Sequence, residues 1–458
     1  MLIEKVKNHS KDYLKSLYGW SMPSGLRFGK IFREYLKLIA ESQFWSYEQL
    51  RDYQNFHLSK LVEHAYEYTP YYRELFIRAG ITPDDINTVD DLPKIPFLTK
   101  HDMKNNLELM RSRAFKEKDL EIGYTGGSTG IPVSFYREKK KSSNIERAFS
   151  FRARNWAGVN YRDKLATFSG GVIVNGRREL WYENIIDKKI DFSSDDLTIE
   201  NLKIIVDKII EYKPVVIYGY PSAISQLSKF IKDFRIDKIK PKAIFTASET
   251  LYPSQRNFFE KVFGCKVFDS YGHSERAVLA SECERHEGYH VFMEYGILEI
   301  LDKDNKAVDK EGAVGEVIAT GLHNYSMPII RFKTSDNACY TSKKCSCMRN
   351  YPLIKSFDGR LQELILSKSG RKISMTSINF HSNIFDNVRQ FQFHQYEKGR
   401  VDLHIIKLSG YRKEDSENII QNINKKVGHD LDITIKFVNE IPTTKRGKRR
   451  FLIQNLEI

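Results

Sequence analysis

The chain has 458 residues, 41% hydrophobic and 29% charged, with a formal net charge of +14. That length and mixture make two or three globular domains and exclude a disordered or fibrous chain. Five cysteines, odd in number and unevenly spread, argue against a disulfide framework, and no apolar run approaches the roughly 20 residues that span a bilayer.

The chain opens Met1, Leu2, Ile3, Glu4, Lys5, with charge where a secretory signal would need apolar residues, so a cytoplasmic location is expected. Residues 1–110 are expected to be mostly helical. Leu50, Tyr53, His57, Leu61 and Ala65 recur at three- and four-residue intervals and make one apolar stripe. Next comes a loop in which Thr125, Gly126, Gly127, Ser128, Thr129 and Gly130 are all small or hydroxylated. Its backbone can approach a polyanion closely and offer N–H and O–H donors. It carries no lysine, so it is not a Walker A loop, and residues 133–136 alternate like a strand rather than opening a helix.

Between about 120 and 280, strand-like runs at 164–168, 214–218, 241–246 and 266–270 alternate with helical patterns at 200–212, 221–233 and 253–263. Such alternation predicts parallel βαβ units with helices on both faces. Ligands of such sheets bind at the carboxyl ends of the strands, where Ser248, Glu249 and residues 271–275 would lie. From 289 to 340 strand follows strand, and Gly359-Arg360 marks a break. Residues 361–458 read as short strands with one helix near 413–426. The basic residues are dispersed, with local clusters at 137–141 and 445–450 and no helix-turn-helix or RNP signature. They are read as a solvated basic surface with phosphate-handling positions, not as a nucleic-acid site. A peripheral contact with an anionic membrane stays open if the acceptor is lipid-linked.

Short motifs follow the loop in a fixed order. Thr246, Ala247, Ser248 and Glu249 precede Tyr271, Gly272, His273, Ser274 and Glu275. Arg331 to Asp336, Gly359 to Gln362, and Pro442 to Phe451 come next. Trp45 and its neighbours, His64 to Arg73, and Leu92 to Lys100 complete the set. This series resembles the AMP-forming acyl and aminoacyl ligases, most closely the phenylacetate–CoA ligases and their capsular-polysaccharide (CapK) relatives. The likeness runs from about Trp45 to Phe451. It implies an α/β adenylate-forming fold, with an N-terminal domain (1–359) of βαβ layers and a β-rich subdomain at 289–340. A small mobile α+β domain (360–458) would follow.

The resemblance also implies roles. Ser128 and Thr129, with the rest of 125–130, would hold the terminal phosphates of ATP. Glu275 would hold Mg²⁺ through oxygen, Tyr271 beside Gly272 would stack on adenine, and Ser248-Glu249 would line the adenine pocket. Asp336 would accept from both ribose hydroxyls, and Arg360 would meet the ribose–phosphate edge. Lys448 would bridge the substrate carboxylate and the α-phosphate. His273 would either face the acyl pocket or simply pack. Two departures stand out. Val133 replaces the lysine that commoner ligases place after the loop proline, and Gln362 replaces the usual hinge Asp or Lys.

Cys283, His290, Cys345 and Cys347 make a separate constellation, three soft thiolates and one imidazole suited to tetrahedral zinc. The Cys-x-Cys spacing is tighter than the usual Cys-x2-Cys, and buried unliganded cysteines are the competing reading. Some phenylacetate-ligase relatives carry a similar set, which favours a structural zinc. Cys265 and Cys339 are expected in the core. The expected reaction is ATP-dependent activation of a small carboxylate and transfer to a thiol, CoA first. The alternative acceptor is a sugar amine in surface-polysaccharide assembly. A third reading, a non-catalytic nucleotide- or nucleic-acid-binding module, is disfavoured because Glu275, Asp336 and Lys448 are all present.

Overall fold

The computed structural model describes residues 24–124, 133–170, 172–174, 177–194, 197–358, 364–370, 372–374, 385, 387–427, 429–442, 450–454 and 456. Two compact units account for them: Met1–Arg162, Ile185–Asp187 and Phe268–Phe357 in the first, Asp163–Asn184, Lys188–Val267 and Asp358–Ile458 in the second.

Three helices open the first unit: α1 (Ser24–Ser42), α2 (Tyr47–Tyr68) and α3 (Pro70–Ala79). A capping box starts α2: the Ser46 hydroxyl accepts from the Gln49 amide at 3.2 Å and the Gln49 side chain accepts from the Ser46 amide at 2.9 Å. Pro70 stands in the first turn of α3, where its missing N–H costs nothing, and Gly80 at φ 67° ends it. The buried face of α2 runs through Leu50, Gln54, Leu58, Leu61, Val62 and Ala65, while Tyr53 and His57 are half-buried. The stripe expected from sequence is thus rotated by one residue in its first half. Gln54 reaches the core because its Nε2 donates to the Gly296 carbonyl at 2.9 Å, which removes the cost of burying it. An antiparallel hairpin, β1 (Leu120–Tyr124) and β2 (Ser134–Glu138), flanks the glycine-rich loop and leads into α4 (Lys141–Trp156).

The second unit begins with β3 (Leu165–Phe168), the hairpin β4 (Val172–Val174) and β5 (Arg177–Glu179), then β6 (Trp181–Asn184) and β7 (Lys189–Phe192). It continues through α5 (Ile199–Tyr212), β8 (Val216–Gly219), α6 (Pro221–Asp233), β9 (Ala243–Ala247) and α7 (Pro253–Phe263). Strand β3 lies parallel between β7 and β8, and β8 pairs parallel with β9. These are the βαβ units that the alternation predicts, and α5, α6 and α7 begin within one residue of their expected starts. Ile205, Ile209, Ile217, Ile224, Leu227, Ile244 and Phe259 make their core.

The chain returns to the first unit with β10 (Lys266–Gly272), β11 (Leu279–Glu282), β12 (Tyr289–Val291), β13 (Gly296–Leu301), β14 (Val314–Gly321), β15 (Phe332–Tyr340) and β16 (Leu353–Asp358). Their order is β13-β14-β15-β16-β12-β11-β10, and a bulge breaks the β14–β15 register between Glu316 and Ile318. Cys339 is buried here, whereas Cys265, in the second unit, is half-buried.

The C-terminal part of the second unit holds the hairpin β17 (Leu364–Leu366) and β18 (Lys372–Ser374), then β19 (Val388–Glu397), β20 (Arg400–Lys407), α8 (Lys413–Val427), β21 (Asp432–Phe437) and β22 (Leu452–Gln454). The sheet order is β21-β20-β19-β22. Phe393, Leu403, Ile405, Ile419, Ile423 and Leu452 fill its core.

Candidate active site and metal centre

Strand β10 delivers Tyr271 between β15 and β16 residues. Its ring stacks on Phe357 at 3.8 Å with 6° between the planes, and its hydroxyl donates to Asp336 Oδ2 at 2.9 Å. The stack fixes the ring and the hydrogen bond fixes the carboxylate, so the two motif residues form one aromatic–acid unit. Asp336 sits in the bulge of β15: Ser335 has φ 66°, and the Asp336 amide donates to the Thr334 hydroxyl at 3.1 Å. Arg331 of the same motif braces the segment rather than facing a ligand. It forks onto Glu299 at 3.1 and 3.3 Å and donates to the carbonyls of Pro93 and Ile95.

Beyond Gly272 the chain turns sharply, and Arg276 adopts φ 58° with its amide donating to the His273 carbonyl at 3.0 Å. This turn aims Glu275 inward, where it is 5% exposed. Its Oε2 lies 3.3 Å from His273 Nδ1, and His273 Nε2 is buried with no hydrogen-bond partner among the described residues. Burial opposes ionisation of Glu275, but the His273 ring, the backbone amide and Lys100 together outweigh it and hold the carboxyl below its ordinary value. A buried, ionised carboxylate beside an imidazole is an oxygen donor fit for a hard divalent cation.

Ser248 and Glu249 follow β9 in the second unit. Ser248 has φ 73°, a strained conformation for a residue with a Cβ. Both Glu249 oxygens are engaged by Ser222 in the first turn of α6, accepting from its amide at 2.9 Å and its hydroxyl at 3.0 Å. Glu249 therefore caps a helix and sets the loop's path. Thr125, Gly126, Gly127, Ser128, Thr129, Gly130, Arg360, Gln362 and Lys448 lie outside the described residues. Phe357 and Arg276, which the motifs did not single out, belong to the site's framework.

In the first unit, Cys283, His290, Cys345 and Cys347 converge, with their donor atoms all within 4.8 Å of one another. Cys283 follows β11, His290 is in β12, and the Cys345–Cys347 pair lies between β15 and β16. Cys283 Sγ is 3.6 Å from Cys345 Sγ, too far for a disulfide. Cys347 Sγ is 3.5 Å from His290 Nε2. A tetrahedral ion with bonds of about 2.3 Å to sulfur and about 2.0–2.1 Å to nitrogen places its ligands about 3.5–3.8 Å apart. Burial pushes the Cys283 thiol up to about 11 and Cys345 further; it acts on Cys347 too, but His290, the Arg349 amide and Cys345 together outweigh it and hold that thiol at about 6. Three sulfurs crowded with an imidazole fit a soft cation that would stabilise their thiolate forms.

The comparisons bear on this framework. Residues 365–455 match the CapK C-terminal domain family. The CapK protein of Staphylococcus aureus is 26% identical over 440 residues, covering 94% of each chain. A phenylacetate-coenzyme A ligase of Thermus thermophilus is 25% identical over 335 residues, covering 70% of this chain and 72% of its own. A 2-hydroxyisobutyryl-CoA ligase crystal structure aligns with a TM-score of 0.73 over 91% of this chain and 93% of its own, at 17% identity. With the motif order, these likenesses lead to one conclusion: over nearly its whole length the chain is similar to CapK and to phenylacetate–CoA ligases, and its fold is that of the adenylate-forming CoA ligases.

Proposed function

We propose that the protein is an ATP-dependent, AMP-forming ligase of the cytoplasm that converts a small carboxylate to its acyl-adenylate and passes the acyl group to a thiol, CoA first. The observation that carries the reading is the gathering of Tyr271, Asp336 and Glu275 at the ends of neighbouring β-rich segments. That set offers an aromatic face, a ribose-type acceptor and a metal-type carboxylate. Glu275 would hold Mg²⁺, which supplies charge neutralisation at the phosphates. Thr125 to Gly130 would donate to the phosphates, Ser248 would border the adenine, Arg360 would meet the ribose–phosphate edge, and Lys448 would bridge carboxylate and α-phosphate. In this reading residues 1–359 form the adenylation domain and 360–458 a mobile domain. The Cys283, His290, Cys345 and Cys347 set would hold a structural zinc.

A second reading keeps the adenylation and sends the acyl or aminoacyl group to a sugar amine. The match of residues 365–455 to the CapK C-terminal domain favours it. The test generates the adenylate in place and offers CoA and amino sugars in parallel. Thioester formation with faster AMP release is the expected result. Amide formation with no response to CoA would replace the first reading by the second.

A further inference from the structure

The eight residues 125–132 of the glycine-rich loop contain no cation, and the first basic residue after them is Arg137. Arg137 is in β2, and a narrow cleft brings it together with Arg276, Ser142, Glu275, Tyr295 and Asn324. The cleft encloses about 10 Å³, on the order of one water or one phosphoryl oxygen. Two guanidiniums therefore meet beside the carboxylate assigned to Mg²⁺, at the first turn of the 16-residue helix α4.

Their present partners do not use up their donors. Among the described residues Arg137 Nε is buried with no hydrogen-bond partner, and the acid paired with it, Glu121, is 3.7 Å away. Arg276 Nη1 donates to the Ser142 hydroxyl at 2.8 Å, but its Nε is 3.8 Å from Glu146, itself already bonded by the Tyr295 hydroxyl. Those two distances are beyond hydrogen-bond reach. Side-chain exposures of 17% for Arg137 and 22% for Arg276 remove much of the water that would otherwise compensate. Burial first, and the charge of Arg276 second, hold Arg137 below its ordinary pKa. Two like charges held together with spare donors are costly unless an anion joins them.

We infer that Arg137 and Arg276 are the cation pair that receives the terminal phosphate of the nucleoside triphosphate, supplying the charge the glycine-rich loop lacks. The inference rests on the adenylation reading. In that reaction the carboxylate oxygen bonds to the α-phosphorus, the α–β P–O bond breaks, and pyrophosphate departs with the bonding electrons. The guanidinium pair meets the charge that develops on it.

The test measures binding of magnesium pyrophosphate and of AMP to the full chain carrying Arg137→Gln, Arg276→Gln or Arg276→Lys. Loss of a charge-assisted bond should weaken pyrophosphate about 10- to 100-fold in each glutamine variant. The expected result also has AMP binding within about 2-fold of the wild type, and partial recovery in Arg276→Lys, which keeps the charge but loses the fork. Unchanged pyrophosphate affinity in both glutamine variants, or AMP affinity falling in parallel, would overturn the inference. Circular dichroism and melting verify folding; if Arg137→Gln unfolds, the more exposed Arg276 carries the test. Arginine-dependent pyrophosphate binding without carboxylate-dependent exchange in the wild type would remove the adenylation reading and leave the anion site. Intact exchange with an unchanged KM for ATP in the variants would do the reverse.

Discussion

Glu275 is buried with one imidazole beside it, so its chemistry can be separated from that of the nucleoside framework at Tyr271 and Asp336. Glu275→Gln should cut ATP turnover sharply while AMP affinity, read by calorimetry, stays near the wild-type value, since the lost contact is with the metal. An equal fall in both would move Glu275 out of the metal role. Lys448→Ala should slow adenylation by about 10²–10³-fold and spare acyl transfer from preformed adenylate, which single-turnover assays distinguish. At this scale the motifs singled out Tyr271, Glu275 and Asp336, and the fold hydrogen-bonds the first to the third. Phe357 was not legible, because its stack on Tyr271 joins two residues about 86 positions apart in sequence, on strands that are not neighbours in the sheet. Gln54 was missed because a polar residue enters a core only when a distant carbonyl receives it, here that of Gly296.

Helices α5, α6 and α7 were legible nearly to the residue, because each has a 3.6-residue apolar period and a clear stop such as Gly264 at φ 69°. How α1 and α4 are anchored was not legible. Arg152 of α4 is 2% exposed and bonded to Glu294 at 2.8 Å; Ser42, the last residue of α1, and Tyr351 also donate to Glu294. Nothing in the sequence distinguishes Arg152 from a solvated helix arginine. Removing one partner leaves a buried charge, so Glu294→Ala should cost about 3–5 kcal/mol in denaturant unfolding. Burial would raise the Glu294 carboxyl, but Arg152 foremost, with Ser42 and the backbone amide, outweighs it and holds it below its ordinary value. The carboxylate's contribution is therefore full at neutral pH and is lost as pH falls below the ordinary carboxylate range. Stability that fails to drop in acid more steeply for the wild type than for Glu294→Ala would contradict this.

For the molecule as a whole, the four ligand-type side chains tie the segments after β11, within β12 and before β16. The protein should carry about one zinc per chain, and a chelator should lower its melting temperature because ion binding couples to folding. Adenylation should persist wherever the metal-free protein stays folded, since Tyr271, Glu275 and Asp336 are not ligands. Elemental analysis without metal would remove the zinc; loss of activity at unchanged stability would make it catalytic. The residue types in the sequence singled out these four side chains, and the fold shows that chain segments about 60 residues apart bring them together. Among the described residues no helix is long and apolar enough to cross a membrane.

Formation of an acyl-adenylate is read most directly by exchange of labelled pyrophosphate into ATP across a panel of small carboxylates. Exchange should require Mg²⁺ and one class of carboxylate, and Lys448→Ala should abolish it. Folded protein that binds ATP yet shows no carboxylate-dependent exchange across the panel, with or without an acceptor, would contradict adenylate formation.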